Sequence, residues 1–174
     1  MKGKVVFALC IAAGLQFAVL TGMYLLAALP LWTGSEIKIK TIPVDPRSMF
    51  RGNYARLRYD ISELDAQHFP DHEDLRNGEI VYVVLEPDDN LLYTFSAVSL
   101  EEPNSGLYLR GRIQNGFFEE DVSYFRIKYG VEAFFAPKAT ALDLENELRN
   151  GGIAVLMVSG SGKARLKDVI PLDG

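Results

Sequence analysis

VVFALCIAAGLQFAVLTGMYLLAALPLWTGS, residues 5–35, carries no charged side chain, and the next six residues, Glu36-Ile37-Lys38-Ile39-Lys40-Thr41, alternate charged with uncharged. At about 1.5 Å per helical residue the first stretch exceeds the ~30 Å hydrocarbon core of a bilayer. The second has the period of two of a half-exposed strand. A membrane helix leading directly into β-structure is therefore expected. A buried core helix of this length would show a polar face, yet Gln16 and Thr21 are the only polar residues other than Gly and Pro between Val5 and Trp32. A secretory signal peptide has a positive start, which Lys2 and Lys4 supply, and Thr33-Gly34-Ser35 offers small residues for cleavage. Its apolar region, however, is about 7–15 residues long, shorter than this run, so a retained anchor is the reading. Tyr24 and Trp32 suit one membrane interface, and Pro30 is expected to end the helix.

The composition divides at the same place. The chain has 174 residues, 48% of them hydrophobic, but 23 of the 28 residues from Val5 to Trp32 are apolar, against about 42% in the remainder of the chain, the proportion of an ordinary globular domain. Three regions result: a cytoplasmic tail, 1–4; a transmembrane anchor, 5–32; and an extracytoplasmic domain, 36–174. The overall net charge is −5 with a pI near 5.1, which excludes a basic nucleic-acid binder. Past the anchor, 16 basic residues face 23 acidic ones, so the domain carries −7 and is not expected to adhere to anionic lipid through charge. The single cysteine, Cys10, lies inside the apolar run, which excludes an intramolecular disulfide. Lys2 and Lys4 favour a cytoplasmic tail with the domain in the periplasm at the cell inner membrane. Lys38, Lys40, Arg47, Arg51, Arg56 and Arg58 argue the other way, but the positive-inside rule acts weakly on folded domains.

Beyond residue 36 the pattern predicts a mainly β domain of about eight strands, mixed or antiparallel, with one short helix. Ile37–Thr41 is the first strand. From Tyr54, residues Ala55, Leu57, Tyr59 and Ile61 point one way and Tyr54, Arg56, Arg58 and Asp60 the other. Residues 62–79 read as a loop with a helical turn. Ile80–Leu85 is a continuous apolar run of the kind buried on both faces. Pro87-Asp88-Asp89-Asn90 turns the chain into Leu91–Leu100, and two strands at Leu107–Ile113 and Val122–Tyr129 are separated by Asn115-Gly116. The helix is Ala139–Arg149, and Ile153–Val158 with Ala164–Ile170 forms a closing hairpin.

The stretch Gly52-Asn53-Tyr54-Ala55-Arg56-Leu57-Arg58-Tyr59 resembles the membrane-anchored bacterial family named for its G-D-Y-x-x-L-x-Y motif. The resemblance extends through the apolar segment, Val44-Asp45-Pro46-Arg47, Arg51, Tyr129-Gly130-Val131-Glu132, Phe134-Phe135, Pro137 and Leu172-Asp173-Gly174. Asn53 replaces the motif's aspartate, which weakens any role needing negative charge there. The resemblance implies a small anchored β-rich domain and no particular activity. Genes of this family tend to lie beside multi-pass membrane proteins, which implies a membrane partner.

Two readings of the motif arise from its residues. In one, Gly52 and Asn53 permit a turn while Leu57 and Tyr59 face the core. In the other, Asp45, Arg47, Arg51, Tyr54, Arg56 and Arg58 gather four guanidiniums and two polar partners within 14 positions, a candidate anion or polar-partner site. The candidate binding set is thus Asp45, Pro46, Arg47, Arg51, Gly52, Asn53, Tyr54, Arg56, Leu57, Arg58 and Tyr59. A serine–lysine hydrolase would use Ser48, beside Met49, with Lys128 as a base neutralised by burial. Lys128 instead sits beside Arg126 in an ordinary alternating strand. Ser159-Gly160-Ser161-Gly162-Lys163 lacks the spacing and the following helix of a P-loop and reads as a hairpin turn. His68 and His72, with Asp65, Asp71 and Glu73, have a metal-like composition, but Pro70 between them spoils a shared helical face. Glu119-Glu120-Asp121 reads as a solvated turn. No cofactor motif, catalytic set or metal set is identified. The expectation is a non-enzymatic anchored domain that binds a protein partner, with the hydrolase and a small-anion binder as alternatives.

Overall fold

The computed structural model describes residues 2–42, 54–70, 75–119, 122–135 and 151–171. Helix α1, Lys2–Thr33, contains the stretch Gly3–Leu29, which has mean hydropathy 2.2, is long and apolar enough to cross a membrane, and is not buried against the rest of the chain. Pro30 does not end the helix, which continues to Thr33. A proline removes only its own N–H bond, here one turn from the terminus, and the Thr33 hydroxyl donates to the Leu29 carbonyl at 3.1 Å in that last turn. Gly34 alone separates the helix from β1, Ser35–Ile42.

The eleven strands among the described residues form two main sheets and a ribbon. In the first sheet β1 pairs antiparallel with β10, Gly152–Val158, which pairs with β11, Ala164–Pro171, while the end of β1 meets β3, Arg58–Tyr59. The second sheet runs β4, β8, β7, β5, β6: Glu63–Asp65, Val122–Lys128, Leu107–Glu119, Ile80–Pro87 and Tyr93–Ser99. The ribbon joins β2, Tyr54–Arg56, to β9, Ala133–Phe135. Alternation decides what is buried. Ile37, Ile39 and Thr41 face inward from β1 while Glu36, Lys38 and Lys40 stay exposed. Ile37 and Ile39 meet Val81, Val83, Leu109, Ile113, Phe125, Ile127 and Leu156 in one core shared by both sheets. Each such aliphatic or Phe side chain contributes about 1.5–3 kcal/mol by leaving water.

Several elements differ from the expected pattern. Ile80–Leu85 is buried on one face only: Val81, Val83 and Leu85 are inside, whereas Ile80, Tyr82 and Val84 are half-buried, because this antiparallel sheet packs only one face on the core. Asn115-Gly116 lies within β7 and not between strands. The register passes from Gln114↔Arg126 to Phe117↔Tyr124, three steps on one strand against two on the other, so the dipeptide occupies a β-bulge. The expected loop 62–79 contains β4 and the short 3₁₀ turn Ala66–His68, and a second 3₁₀ turn, Asp60–Ser62, runs into its start. The expected helix Ala139–Arg149 lies outside the described residues.

The two turns singled out from sequence behave as turns. In the first, the Asp88 carboxylate accepts from the Asn90 and Leu92 amides, both at 2.8 Å. In the second, Ser159 and Lys163 close the β10–β11 hairpin, and Gly162 sits against Tyr108 and gives its carbonyl to the Arg110 amide at 2.8 Å. The Tyr108 hydroxyl donates to the Glu102 carboxylate and lies 2.7 Å from the Gly160 carbonyl, and the Glu102 contact, with burial, pushes its phenol up to about 12.

Close packing is sharpest at Gly111 in β7, where an added Cβ would overlap Ile127 Cγ2 and lie 3.2 Å from the Tyr129 ring. Gly111→Ala is expected to lower stability by about 1–3 kcal/mol through overpacking. Gly160→Ala, at a turn with open space around it, should change stability by less than about 0.5 kcal/mol. Thermal unfolding of the detergent-solubilised chain compares the two; equal effects would contradict the packing assignment.

Candidate functional site

The motif stretch changes sheets at Leu57. Before it, Tyr54–Arg56 pairs with Phe135–Ala133; after it, Arg58 and Tyr59 pair with Ile42 and Thr41. Leu57 is buried, and its amide donates to the Glu132 carbonyl at 2.8 Å, which bridges the two pairings. Two tyrosines then fasten the motif to residues 129–132. The Tyr59 hydroxyl donates to the Val131 carbonyl, and the Tyr129 hydroxyl donates to the Ile61 carbonyl at 2.7 Å. Their rings meet edge to face with centroids 6.5 Å apart. Gly130 supplies the positive φ, 83°, that the connecting turn requires. The Glu132 carboxylate accepts from the Tyr129 and Gly130 amides and fixes that turn. Burial, reinforced by the Glu132 charge, pushes both phenols well above the usual tyrosine range. They are neutral donors.

Outside this clasp the arginines are arranged differently from a free anion fork. Arg58 Nη1 lies 3.7 Å from Glu63 Oε1, and Arg126 reaches the same oxygen through Nη2 at 2.8 Å and Nε at 3.1 Å. Glu63 on β4 stands opposite Arg126 on β8, so strand register builds the shared contact. Sequence reasoning missed both residues because β4 is three residues long and its pairing with β8 spans more than 60 positions. Arg56 is exposed. Half-exposed ion pairs of this kind contribute about 0–1 kcal/mol, so the Arg58 contact adds little to stability.

Of the other candidates, Tyr54 is placed by its backbone in β2, while Asp45, Pro46, Arg47, Arg51, Gly52 and Asn53 lie outside the described residues, as do Ser48, His72, Asp71, Glu73, Glu120 and Asp121. His68 is exposed and its ring lies 4.9 Å from that of Phe95. Among the described residues no group of three or more potential metal ligands comes together. Lys128 is exposed on β8, the opposite of the burial a neutral catalytic lysine requires. Asp60 adjoins the clasp: its half-buried carboxyl is held above the usual carboxylate range by desolvation, opposed by the Ile61 amide and Lys40, and its Oδ1 has no partner among the described residues.

Tyr59→Phe and Tyr129→Phe each orphan a buried carbonyl and are expected to cost about 1–3 kcal/mol. Because the folded phenols hold their protons more tightly than the unfolded chain does near pH 10, their stabilisation is fully present below pH 10 and is lost as pH rises beyond it. Unfolding midpoints from pH 7 to 11 should therefore fall steeply for the native chain and less steeply for the double Phe variant. Parallel curves would refute the neutral-donor assignment.

A family model described as GDYXXLXY protein matches residues 16–169, and the chain belongs to that family. No curated protein and no solved structure matches.

Proposed function

We propose that this member of the GDYXXLXY family is a single-pass, non-enzymatic membrane protein whose β-domain lies on the periplasmic side of the inner membrane and binds a membrane protein partner. The observation that carries the reading is the junction at Gly34. An apolar helix that the domain does not cover needs another apolar surrounding, and a joint of one residue keeps the domain at the surface from which that helix emerges. A partner embedded in the same bilayer is within constant reach, so association gains from a high effective concentration.

The described part of the motif suits a scaffold more than a reaction centre. Leu57 and Tyr59 are consumed by the core, while Arg56 and Arg58 remain on the surface as contacts for a polar or acidic partner. Arg58 is held near Glu63, which limits the entropy lost on binding.

Crosslinking in intact membranes is expected to recover a specific multi-pass protein with the native chain and at least fivefold less with Arg56→Ala plus Arg58→Ala. The variant should fold normally, given the small worth of the Arg58 contact. Recovery of nothing specific, or equal recovery by both forms, counts against the partner. Reporter fusions at the two termini read the orientation, and an intact mass lacking α1 would overturn the anchored reading.

A further inference from the structure

Five cations line a cleft of about 850 Å³ bordered by α1, the second sheet and the β10–β11 hairpin: Arg110, Arg112, Lys128, Lys163 and Arg165. Among the described residues no carboxylate lines it. The domain's net charge of −7 makes this concentration the more unusual. Strand pairing builds it. Arg110 and Arg112 are two apart on β7 and so share a face, Lys128 is the direct register partner of Arg112 on β8, and the β10–β11 hairpin brings Lys163 and Arg165 to the same opening.

Like charges directly opposite each other in an antiparallel pair disfavour the fold. On the same face, the neighbouring cation Arg126 is matched by Glu63, whereas among the described residues none of the five cleft cations has an acidic partner within ion-pair distance. Two of the five have structural hydrogen bonds: Arg112 donates to the Gly78 carbonyl at 2.7 Å and Arg165 to the Ala27 carbonyl of α1 at 2.9 Å. Arg110, Lys128 and Lys163 are left to meet something that enters the cleft.

The far wall gives its identity. It is formed by Leu26 and Ala27 of α1. Ala27 lies 23 residues beyond Lys4, about 35 Å along a helix, just past a ~30 Å hydrocarbon core that begins near Lys4. The exposed Tyr24 and Trp32 bracket that level, as aromatic residues do at a membrane interface. A cleft with an apolar wall at the end of the acyl region and a cationic wall at headgroup depth is complementary to an amphiphile with an anionic head. We propose that this cleft binds the phosphate headgroup of an anionic phospholipid, with Arg110, Arg112, Lys128 and Lys163 around the phosphate and Leu26 and Ala27 against the glycerol end of the acyl chains. The site rests on α1 remaining in the membrane.

Native mass spectrometry of the full detergent-solubilised chain tests this by titration with phosphatidylglycerol and, separately, phosphatidylcholine of the same acyl length. Phosphatidylglycerol is expected to bind at least tenfold more tightly. Arg110→Gln plus Lys128→Gln, which removes side chains with no structural hydrogen bond among the described residues, should reduce that preference to threefold or less. Lys38→Gln plus Lys40→Gln, an equal change in charge on β1, should keep it. Thermal unfolding of both variants near the native midpoint shows that folding is not the cause. Equal binding of the two lipids, or an undiminished preference in the cleft variant, overturns the proposal. So does full displacement of phosphatidylglycerol by millimolar glycerol 1-phosphate, which would assign the cleft to a soluble phosphate compound. The same spectra report the intact mass: loss of α1 would overturn the anchored reading and this one together, whereas an intact chain without lipid preference overturns this one alone.

Discussion

The reciprocal hydrogen bonds of Tyr59 to Val131 and of Tyr129 to Ile61 are the constraint on which the arrangement of the domain depends. The two segments they join lie about 70 positions apart and belong to different sheets, since β3 extends the sheet of β1 while Tyr129 comes directly after β8 of the other. At this end of the domain the sheets would otherwise be held mainly by non-directional burial, which fixes distance better than register; the Arg110 amide and Tyr108 hydroxyl serve the β10–β11 hairpin elsewhere. Two buried hydroxyls, each satisfying one carbonyl of the opposite segment, supply the direction. The Glu132 turn and the Leu57 amide add fixed points on either side, so the chain crosses from ribbon to sheet at a single residue.

The legible and illegible parts of the fold divide along a physical line. Ser35–Ile42 can be read from the chain because one buried face imposes a period of two over eight residues, and the β10–β11 hairpin because a continuous apolar run is followed by a Ser-Gly turn. Glu63–Asp65 and Ala133–Phe135 are too short to show a period; they are strands only because a partner stands opposite. Asn115-Gly116 has the residues of a tight hairpin turn, yet such a pair also suits a bulge, and only the pairing on both sides distinguishes the two. Ile80–Leu85 misleads for a related reason: β-branched residues favour strands whether one face or both are buried.

Charge is harder still to read than strands. The run of arginines from Arg47 to Arg58 stands out because its members are neighbours in sequence, but Arg58 turns to Glu63, and Arg126 joins it from more than 60 residues away. The cleft cations, by contrast, are spread over positions 110 to 165 and are diluted in a net acidic domain, so neither a local count nor an average reveals them. Register assembles the cluster: whichever residue faces Arg112 across the β7–β8 pair is set by the bulge at Asn115-Gly116, since removing one residue there would exchange the faces of everything beyond it. A local irregularity of the backbone thus determines an electrostatic feature of the surface.

The same logic bears on what the family motif reports. In the order G-D-Y-x-x-L-x-Y, the leucine and the last tyrosine are Leu57 and Tyr59, which are buried and committed to the clasp, whereas two of the three unspecified positions are Arg56 and Arg58, which are exposed. The fixed letters that can be placed therefore describe how the chain changes sheets. The unspecified letters describe what it shows to its surroundings. Replacing Leu57 or Tyr59 leaves a cavity or an orphaned carbonyl in the core, a penalty on every member that shares the scaffold, while a change at position 56 or 58 alters only the surface. Membership of the family accordingly identifies a scaffold, and the chemistry particular to this chain resides in the residues the motif leaves open and in the cations that its strand register brings together.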